Sequence, residues 1–194
     1  MAGAPQTGEN EAGNGAYVFV RPKGCWKNNT ENAKLTASDG TGFRLGYSVS
    51  MSGNTVVAGA PYWGDQDTKK GAVYVFSKPA KGWRNATQTA RLTISPHSLN
   101  VLGFSVSAME GGAAITSGCP GWRLGQGAGF VYRRPHSGWA NGTHFTYRAE
   151  AGDGIYGDRL GYSIAASPAA VAAGAPYAEV QSNADEGAAY IFGP

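Results

Sequence analysis

Three Asn-x-Thr triplets recur at nearly constant spacing along this chain of 194 residues. They begin at Asn28, Asn85 and Asn141, so successive triplets are 57 and 56 residues apart, and each begins two residues after a Trp. The asparagine of such a triplet is the acceptor for N-glycosylation, which would place the protein in the secretory pathway of a eukaryote. The alternative is turn chemistry that was copied when a repeat duplicated, because Asn and Thr also stabilise turns. The sequence predicts three glycan acceptors and leaves the turn alternative open.

The tryptophans before these triplets are preceded by Pro and basic residues, as in Arg21-Pro22-Lys23 before Trp26. A Trp beside cations could stack on a sugar ring and bind a sulfate or carboxylate, as recognition of an anionic polysaccharide requires. A Trp that covers the edge of a sheet explains the spacing equally well, and we favour that interpretation for Trp26, Trp83 and Trp139.

A second set of aromatic and basic residues lies in loops whose sequences differ from one repeat to the next. These candidate ligand-binding residues are Tyr62, Trp63, Trp122, Arg123 and Tyr177. Variable loops on a constant scaffold are where recognition usually occurs. The competing interpretation is that Tyr62 and Trp63 cover the neighbouring structural unit.

Catalysis finds little support in the sequence. The three histidines fall at non-equivalent places: His97, His136 and His144. No Ser, Cys or carboxylate keeps a triad-like spacing to them. Asp153 and Asp158 near Glu150 could form an acid pair, but the Asp-Gly step at Asp153 is explained by a turn. We expect no enzyme activity and no catalytic residues.

A metal site is not expected either. The closest cluster of carboxylates is Asp65 and Asp67, and Lys69 and Lys70 follow at once. A calcium site needs about six or more oxygen ligands, usually with several carboxylates in one loop. A solvated polar turn explains this segment better, so we expect neither a metal nor another cofactor.

The two cysteines lie at non-equivalent positions of the repeat. Cys119 replaces a small residue in a repeated quartet, which predicts a buried thiol, whereas Cys25 is expected to be free or bonded to another chain.

All these residues are positioned by a repeat of about 57 residues. A quartet of small residues that ends in Pro begins at Ala2, Ala58, Ser117 and Ala173, at offsets of 56, 59 and 56 residues. A Leu-Gly-aromatic-Ser motif begins at Leu45, Leu102 and Leu160. We therefore expect one domain, 1–194, with repeats at about 2–57, 58–116, 117–172 and 173–194.

Each repeat has the pattern of short strands. Segments such as Tyr47–Met51, Thr55–Ala58, Val73–Phe76 and Ala90–Thr93 are rich in β-branched and aromatic residues and are bounded by turn residues. Four short strands per period predict an all-β fold, a β-propeller-type array of four-stranded antiparallel blades, with three full repeats and a partial fourth. The small quartet fits an inner strand, where backbones crowd and only small residues avoid clashes. A sandwich is less favoured because it does not demand equal periods.

The motifs also resemble a known family. Leu45-Gly-Tyr-Ser-Val-Ser, Thr55-Val-Val-Ala-Gly-Ala-Pro and Gly71-Ala-Val-Tyr-Val-Phe are similar to FG-GAP repeats, the blade unit of integrin α-subunit propellers. The Phe of the Phe-Gly pair is Leu in this chain. The connections Ser52–Asn54, Glu110–Gly112 and Ser167–Ala169 lack the alternating Asp of a calcium loop, so the resemblance is to a variety without calcium loops. It implies that the loop after each quartet lies on the ligand-binding face, with the loop that enters the next blade.

The composition and charge argue against two classes of function. The chain has 30 Gly, 15% charged residues and a net charge of +3, with Lys and Arg scattered over loops, so neither nucleic-acid binding nor a direct membrane span is expected. We expect a secreted or cell-surface binding or adhesion module that recognises a protein or a glycan. The alternative is a structural subunit of an extracellular assembly, such as a filament or coat, because the first and last repeats are incomplete. An incomplete repeat leaves a strand edge unpaired, so we expect the chain to associate with another copy of itself or with the remainder of a larger chain.

Overall fold

The computed structural model describes residues 1–5, 14–26, 28–40, 44–64, 69–94, 100–181 and 183–193. The strands in chain order are β1 (Ala2–Ala4), β2 (Gly15–Val18), β3 (Ala33–Thr36), β4 (Val49–Ser52), β5 (Thr55–Ala60), β6 (Ala72–Ser77), β7 (Ala86–Thr87), β8 (Ala90–Leu92), β9 (Ser105–Met109), β10 (Ala114–Cys119), β11 (Ala128–Arg133), β12 (Tyr147–Ala149), β13 (Ser163–Ala166), β14 (Val171–Ala175) and β15 (Ala188–Phe192). Within these residues the helical segments are one turn each: a 3-10 turn at Glu110–Gly112 and α1 at Trp122–Gly125.

These strands form four sheets that follow one another along the chain. The sheet orders are β1-β2-β3-β7, β4-β5-β6-β8, β9-β10-β11-β12 and, among the described residues, β13-β14-β15. Strand pairs are antiparallel except that β7 lies parallel to β3. The predicted all-β array of blades is confirmed. Because β7 belongs to the second repeat, that repeat also covers the outer edge of the first sheet.

The sheets share the period of the sequence repeat but begin at a different point in it. The second sheet runs from Val49 to Leu92, and the repeated quartet supplies its second strand, β5. The repeat bound at 57/58 therefore cuts through β5. Strands were predicted within a few residues of their observed bounds, as for Val73–Phe76 within Ala72–Ser77.

The core lies between successive sheets. Tyr74 and Phe76 of β6 pack with Val18 and Leu35 of the first sheet. Val75, from the same strand, packs with the third sheet instead. Ala72 to Phe76 are all buried, as expected for a strand in a sheet that is covered on both faces.

The quartet strands cross the next sheet at very short range. A Cβ atom built on Gly59 would overlap the carbonyl oxygen of Gly103, and one on Gly118 would overlap that of Gly161. The same carbonyls accept hydrogen bonds from the serines of the preceding Leu-Gly-aromatic-Ser motifs, Ser48 and Ser105, each at 2.8 Å. The expected crowding of the small-residue strands is therefore present, and it explains why the quartet and the motif recur together.

Candidate ligand-binding face

Two families of loops meet at one end of the sheets. One family joins β5 to β6, β10 to β11 and β14 to β15; the other joins each sheet to the next. Backbone hydrogen bonds hold them together, as from the N–H of Arg159 to the carbonyl of Gly125 (2.9 Å) and from Leu160 to Gln126 (3.1 Å). We call this end of the sheets the loop face. The connections that contain the glycosylation triplets leave their sheets at the opposite end, because strands alternate in direction.

Three rings form an aromatic row across the loop face: Tyr47, Phe104 and Tyr162, each from the Leu-Gly-aromatic-Ser motif of a different sheet. Their centroids are 5.0 Å and 4.6 Å apart. Tyr47 and Tyr162 are 38% and 40% exposed. Partial burial raises the pKa of the Tyr47 phenol, and the neighbouring phenols of Tyr62 and Tyr162 raise it further. The row is a contiguous aromatic surface that remains partly open to solvent.

An arginine-on-tyrosine pair flanks the row on each side. The guanidinium of Arg44 lies 4.1 Å from the ring centroid of Tyr62, and that of Arg159 lies 4.9 Å from Tyr177. Such a cation–π contact contributes about 0.5–2 kcal/mol. Each pair comes from equivalent positions: the arginine precedes Leu-Gly, and the tyrosine follows the Pro of the quartet.

The loops of the third sheet, which lie between those of the second and fourth sheets and which we call the middle unit, lack this pair and have a groove instead. Val101 and Gly121 occupy the positions of the arginine and the tyrosine, and they line a groove of about 630 Å³ between the third and fourth sheets. Tyr156 and Leu124 also line the groove and are 78% and 81% exposed. The groove therefore lies where two side chains of the flanking units have been replaced by smaller ones.

Of the five residues predicted to bind ligand, Tyr62 and Tyr177 lie in the loop face, and Tyr177 also lines the groove. Trp63 is partly buried against the core between the first two sheets, under the guanidinium of Arg91 at 4.4 Å. This packing is compatible with the alternative interpretation, in which Trp63 covers the neighbouring unit.

Trp122 and Arg123 share a different partner. The indole N–H of Trp122 donates to Glu150 at 2.7 Å, and the Arg123 guanidinium lies 3.5 Å from the same carboxylate. The Trp122 ring packs edge-on against Phe130 with centroids 5.2 Å apart. These contacts hold α1 on the third sheet.

The tryptophans beside the triplets are not equivalent in their surroundings. Trp139 is buried and donates its indole N–H to the carbonyl of Gly112 at 3.2 Å. Trp83 packs against the core between the first two sheets. Trp26 is exposed. Covering of the sheet edge therefore accounts for two of the three.

Asn85 and Asn141 follow the third strands of their sheets, β6 and β11, whereas Asn28 lies between β2 and β3, the second and third strands of the first sheet. The side-chain oxygen of Asn85 accepts a hydrogen bond from the backbone N–H of Lys34, and that of Asn141 accepts one from Arg91, both at 2.8 Å. Asn85 thus binds β3 of the first sheet, and Asn141 binds β8, the outer strand of the second sheet. Since a glycan is attached at the amide nitrogen, this contact is compatible with either interpretation of the triplets.

The acidic residues considered for catalysis make structural contacts. Glu150 pairs with Arg148 at 3.1 Å, Asp153 accepts a hydrogen bond from the Tyr190 hydroxyl at 3.0 Å, and Asp158 accepts one from the N–H of Ile155 at 2.8 Å.

Metal ligands are not clustered in the part of the chain that the structure describes: no group of three or more His, Cys, Asp or Glu side chains could hold an ion there. Asp65, Asp67 and His97 lie outside the described residues. His136 and His144 are exposed.

The expected burial of Cys119 is confirmed. Its thiol donates to the carbonyl of Asn100 at 2.8 Å, and burial raises its pKa well above the ordinary value. Cys25 is exposed and not in a disulfide within the chain.

One feature of the loop face was not foreseen. Arg44, Val101 and Arg159 all adopt left-handed backbone conformations, with φ of 54°, 52° and 58°. The only sequence signal was their shared position before Leu-Gly, which does not by itself indicate positive φ. In two of the three, Arg44 and Arg159, the side chain lies over the tyrosine that follows the quartet.

A family model for the FG-GAP repeat matches residues 29–76. The matched segment contains β3 to β6, including the quartet strand and its crossing with the next sheet. Residues 29–76 therefore form an FG-GAP repeat. Comparison with curated protein sequences gave no significant match. The FG-GAP repeat indicates an extracellular, adhesion-type module, and the family is typically non-enzymatic. Among the described residues, no helix is both long and apolar enough to cross a membrane.

Proposed function

We propose that this FG-GAP repeat protein is a β-propeller-type module, secreted or on the cell surface, that binds a protein or glycan through its loop face without catalysing a reaction. The observation that carries the proposal is the aromatic row, Tyr47, Phe104 and Tyr162, which extends over three sheets and remains partly exposed. Contiguous exposed aromatic surface is uncommon on monomeric proteins unless it binds something.

The flanking pairs support the same assignment. Aromatic residues and Arg are enriched at interfaces, and Tyr and Trp supply large contact areas at little entropic cost. Tyr62 and Tyr177 are held by Arg44 and Arg159, so their rings are fixed before a ligand arrives. A ring that is already ordered loses less entropy on binding.

We further propose that Asn28, Asn85 and Asn141 carry N-glycans. Asn85 and Asn141 lie along the outer edge of the preceding sheet, beside Lys34 and Arg91, so glycans attached there would extend from the sheet edge and not from the loop face. Intact mass spectrometry before and after enzymatic deglycosylation, on protein from a eukaryotic secretory host, tests this. An unchanged mass would leave only the contacts of the asparagines with the preceding sheet.

Binding is tested on a glycan array and on a panel of displayed extracellular proteins, with the wild-type chain and the variants Tyr62→Ala and Tyr177→Ala. We expect at least one specific signal that decreases about 10-fold or more in either variant, as loss of an interface aromatic typically costs. Tyr147→Ala is the matched control, because Tyr147 is 44% exposed and lies away from the loop face. Signals equally sensitive to all three variants, or no signal, would contradict the proposal.

One observation favours the alternative, a structural subunit that self-associates. Ile191 in β15 is 78% exposed, whereas Val75, at the equivalent position of β6, is fully buried against the next sheet. Burial of such a side chain is worth about 1.5–3 kcal/mol. Sedimentation at micromolar concentration distinguishes the two functions. A defined oligomer that is lost in Ile191→Ser would favour assembly, and a monomer would favour the binding module.

A further inference from the structure

The groove of the middle unit differs from the flanking units in its side chains and not in its backbone. Val101 has the left-handed conformation of Arg44 and Arg159, and its carbonyl accepts the hydrogen bond from Phe104 N–H at 3.2 Å. The corresponding bonds are from Tyr47 to Arg44 at 3.0 Å and from Tyr162 to Arg159 at 3.1 Å. The scaffold that holds an arginine-on-tyrosine pair is therefore intact in the unit that lacks the pair.

Neither replacement is required by the backbone. Gly121 has φ of −84° and ψ of −6°, a conformation open to any residue. Val101 is β-branched, and such residues are disfavoured at a φ of 52°. Strained residues of this kind are concentrated at binding and catalytic sites. The two replacements together open the groove.

The flanking unit shows what ring geometry the scaffold accepts at this place. The Tyr177 ring lies edge-on to Tyr162, with centroids 6.4 Å apart and planes at 79°. In the middle unit Phe104 has the position of Tyr162, while Gly121 contributes no ring beside it. An aromatic ring that enters from outside can pack on Phe104 with the same edge-to-face geometry.

The charged groups on the rim of the groove indicate the charge and the hydrogen-bonding group of the ligand. Arg159 and Asp185 carry opposite charges, so the lining favours a neutral ligand. The carboxylate of Asp185 is an acceptor for a hydroxyl donor. This chain already uses phenol–carboxylate hydrogen bonds in two places, from Tyr74 to Asp39 at 2.9 Å and from Tyr190 to Asp153 at 3.0 Å.

From these observations we infer that the groove between the third and fourth sheets binds the phenol ring of a tyrosine side chain presented by a protein partner. The inference rests on the proposed function and specifies the ligand class for one part of the loop face. A sugar ring fits less well, because Phe104, Val101 and Leu124 line the groove with carbon and leave several hydroxyls without partners.

The probe for the test is p-cresol, which has the ring and hydroxyl of a tyrosine side chain, titrated into ¹⁵N-labelled chain and followed by NMR. We expect a dissociation constant in the millimolar range, as befits so small a ligand, with shifts confined to residues near Phe104, Gly121 and Tyr162. Methyl β-D-glucopyranoside serves as the sugar probe and is expected to produce no such shifts.

Two variants test the location. Gly121→Tyr restores the ring of the flanking units, so it should weaken p-cresol binding 10-fold or more while the circular dichroism spectrum and urea midpoint remain close to wild type. Tyr147→Ala, which removes an exposed tyrosine elsewhere, should bind p-cresol as wild type does. Tyr156→Ala gives an independent test at the groove rim and should weaken binding even if Gly121→Tyr fails to fold.

The inference is overturned if p-cresol does not bind, if its shifts lie outside the groove, or if the sugar probe binds there instead. Should any of these occur while array signals still depend on Tyr62 or Tyr177, the proposed function stands and only the ligand class is wrong. If the array signals are also absent, both are wrong.

Discussion

Gly118 and Gly129 provide a direct test of how successive sheets are joined. They are opposite one another in the pairing of β10 with β11, both are buried, and each has neighbours on the fourth sheet. A Cβ on Gly118 would overlap the carbonyl oxygen of Gly161, far inside the 3.0 Å below which real Cβ contacts essentially never occur. A Cβ on Gly129 would meet the terminal methyl carbon of Ile164 at 3.0 Å.

The two substitutions to Ala should therefore differ greatly in cost. Gly118→Ala forces two backbone segments apart by about an ångström, and overpacking of this kind costs about 1–3 kcal/mol, occasionally more. We expect about 3 kcal/mol, or a Tm lower by about 6–12 °C for a chain of this length. Gly129→Ala needs only a side-chain adjustment, and the less flexible unfolded chain offsets about 0.4–1 kcal/mol of its cost. Its net effect should be within about 1 kcal/mol.

Urea unfolding followed by tryptophan fluorescence measures both midpoints, and equal slopes show that the same surface is exposed on unfolding. Equal midpoints for the two variants would contradict this expectation, because the new Cβ meets a rigid carbonyl oxygen in Gly118→Ala and a movable methyl group in Gly129→Ala. A large loss in Gly129→Ala alone would mean that packing on Ile164, and not backbone approach, joins these sheets.

Three further predictions use the other contacts. Asn85→Ala and Thr87→Ala both remove the same glycosylation triplet, but only the first leaves the N–H of Lys34 in β3 without its acceptor. In unglycosylated protein Asn85→Ala should therefore cost about 0.5–1.5 kcal/mol more in urea unfolding, and equal losses would contradict this role. A thiol reagent at neutral pH should modify Cys25 rapidly and Cys119 only on unfolding, since Cys119 is buried and burial raises the pKa of its thiol. Rapid modification of both cysteines would be inconsistent with the burial of Cys119. Burial, and then the Asp39 carboxylate, raise the pKa of the Tyr74 phenol above that of an unfolded tyrosine. The contribution of Tyr74 to stability should therefore be complete below about pH 10 and decrease above it. Tyr74→Phe should reduce this alkaline decrease in the urea midpoint, and a pH profile identical to wild type would contradict the prediction.

The sequence predicted the fold well because the fold depends on residues that recur. The small quartet, the Leu-Gly-aromatic-Ser motif and the triplets repeat at one period, and each has a contact that repeats with it, such as Ser48 to Gly103 and Ser105 to Gly161. A period of this length implies units that bury their faces only against their neighbours. The strand bounds follow from the same pattern, whereas the starting point of each sheet within the repeat does not.

The candidate site was predicted less completely. Tyr62 and Tyr177 were identified from their place in variable loops, but Trp63 and Trp122 have equally exposed-looking sequence contexts and are held under arginines from the outer strands. Such contacts join residues about 30 positions apart and leave no local pattern. The aromatic row was hidden for the opposite reason, because its members looked like ordinary strand residues of a motif that specifies the fold.

The middle unit shows how this architecture can separate binding from stability. Residues that join the sheets, such as Gly118, are constrained by backbone contacts that tolerate no side chain. Residues at the loop face are free of that constraint: the unit with Val101 and Gly121 keeps the backbone hydrogen bond made by units with Arg and Tyr. A change of ligand therefore requires substitutions only at positions whose backbone is already held by other residues. Under the proposed function, the differences between units, more than their similarities, therefore indicate where the partner would bind.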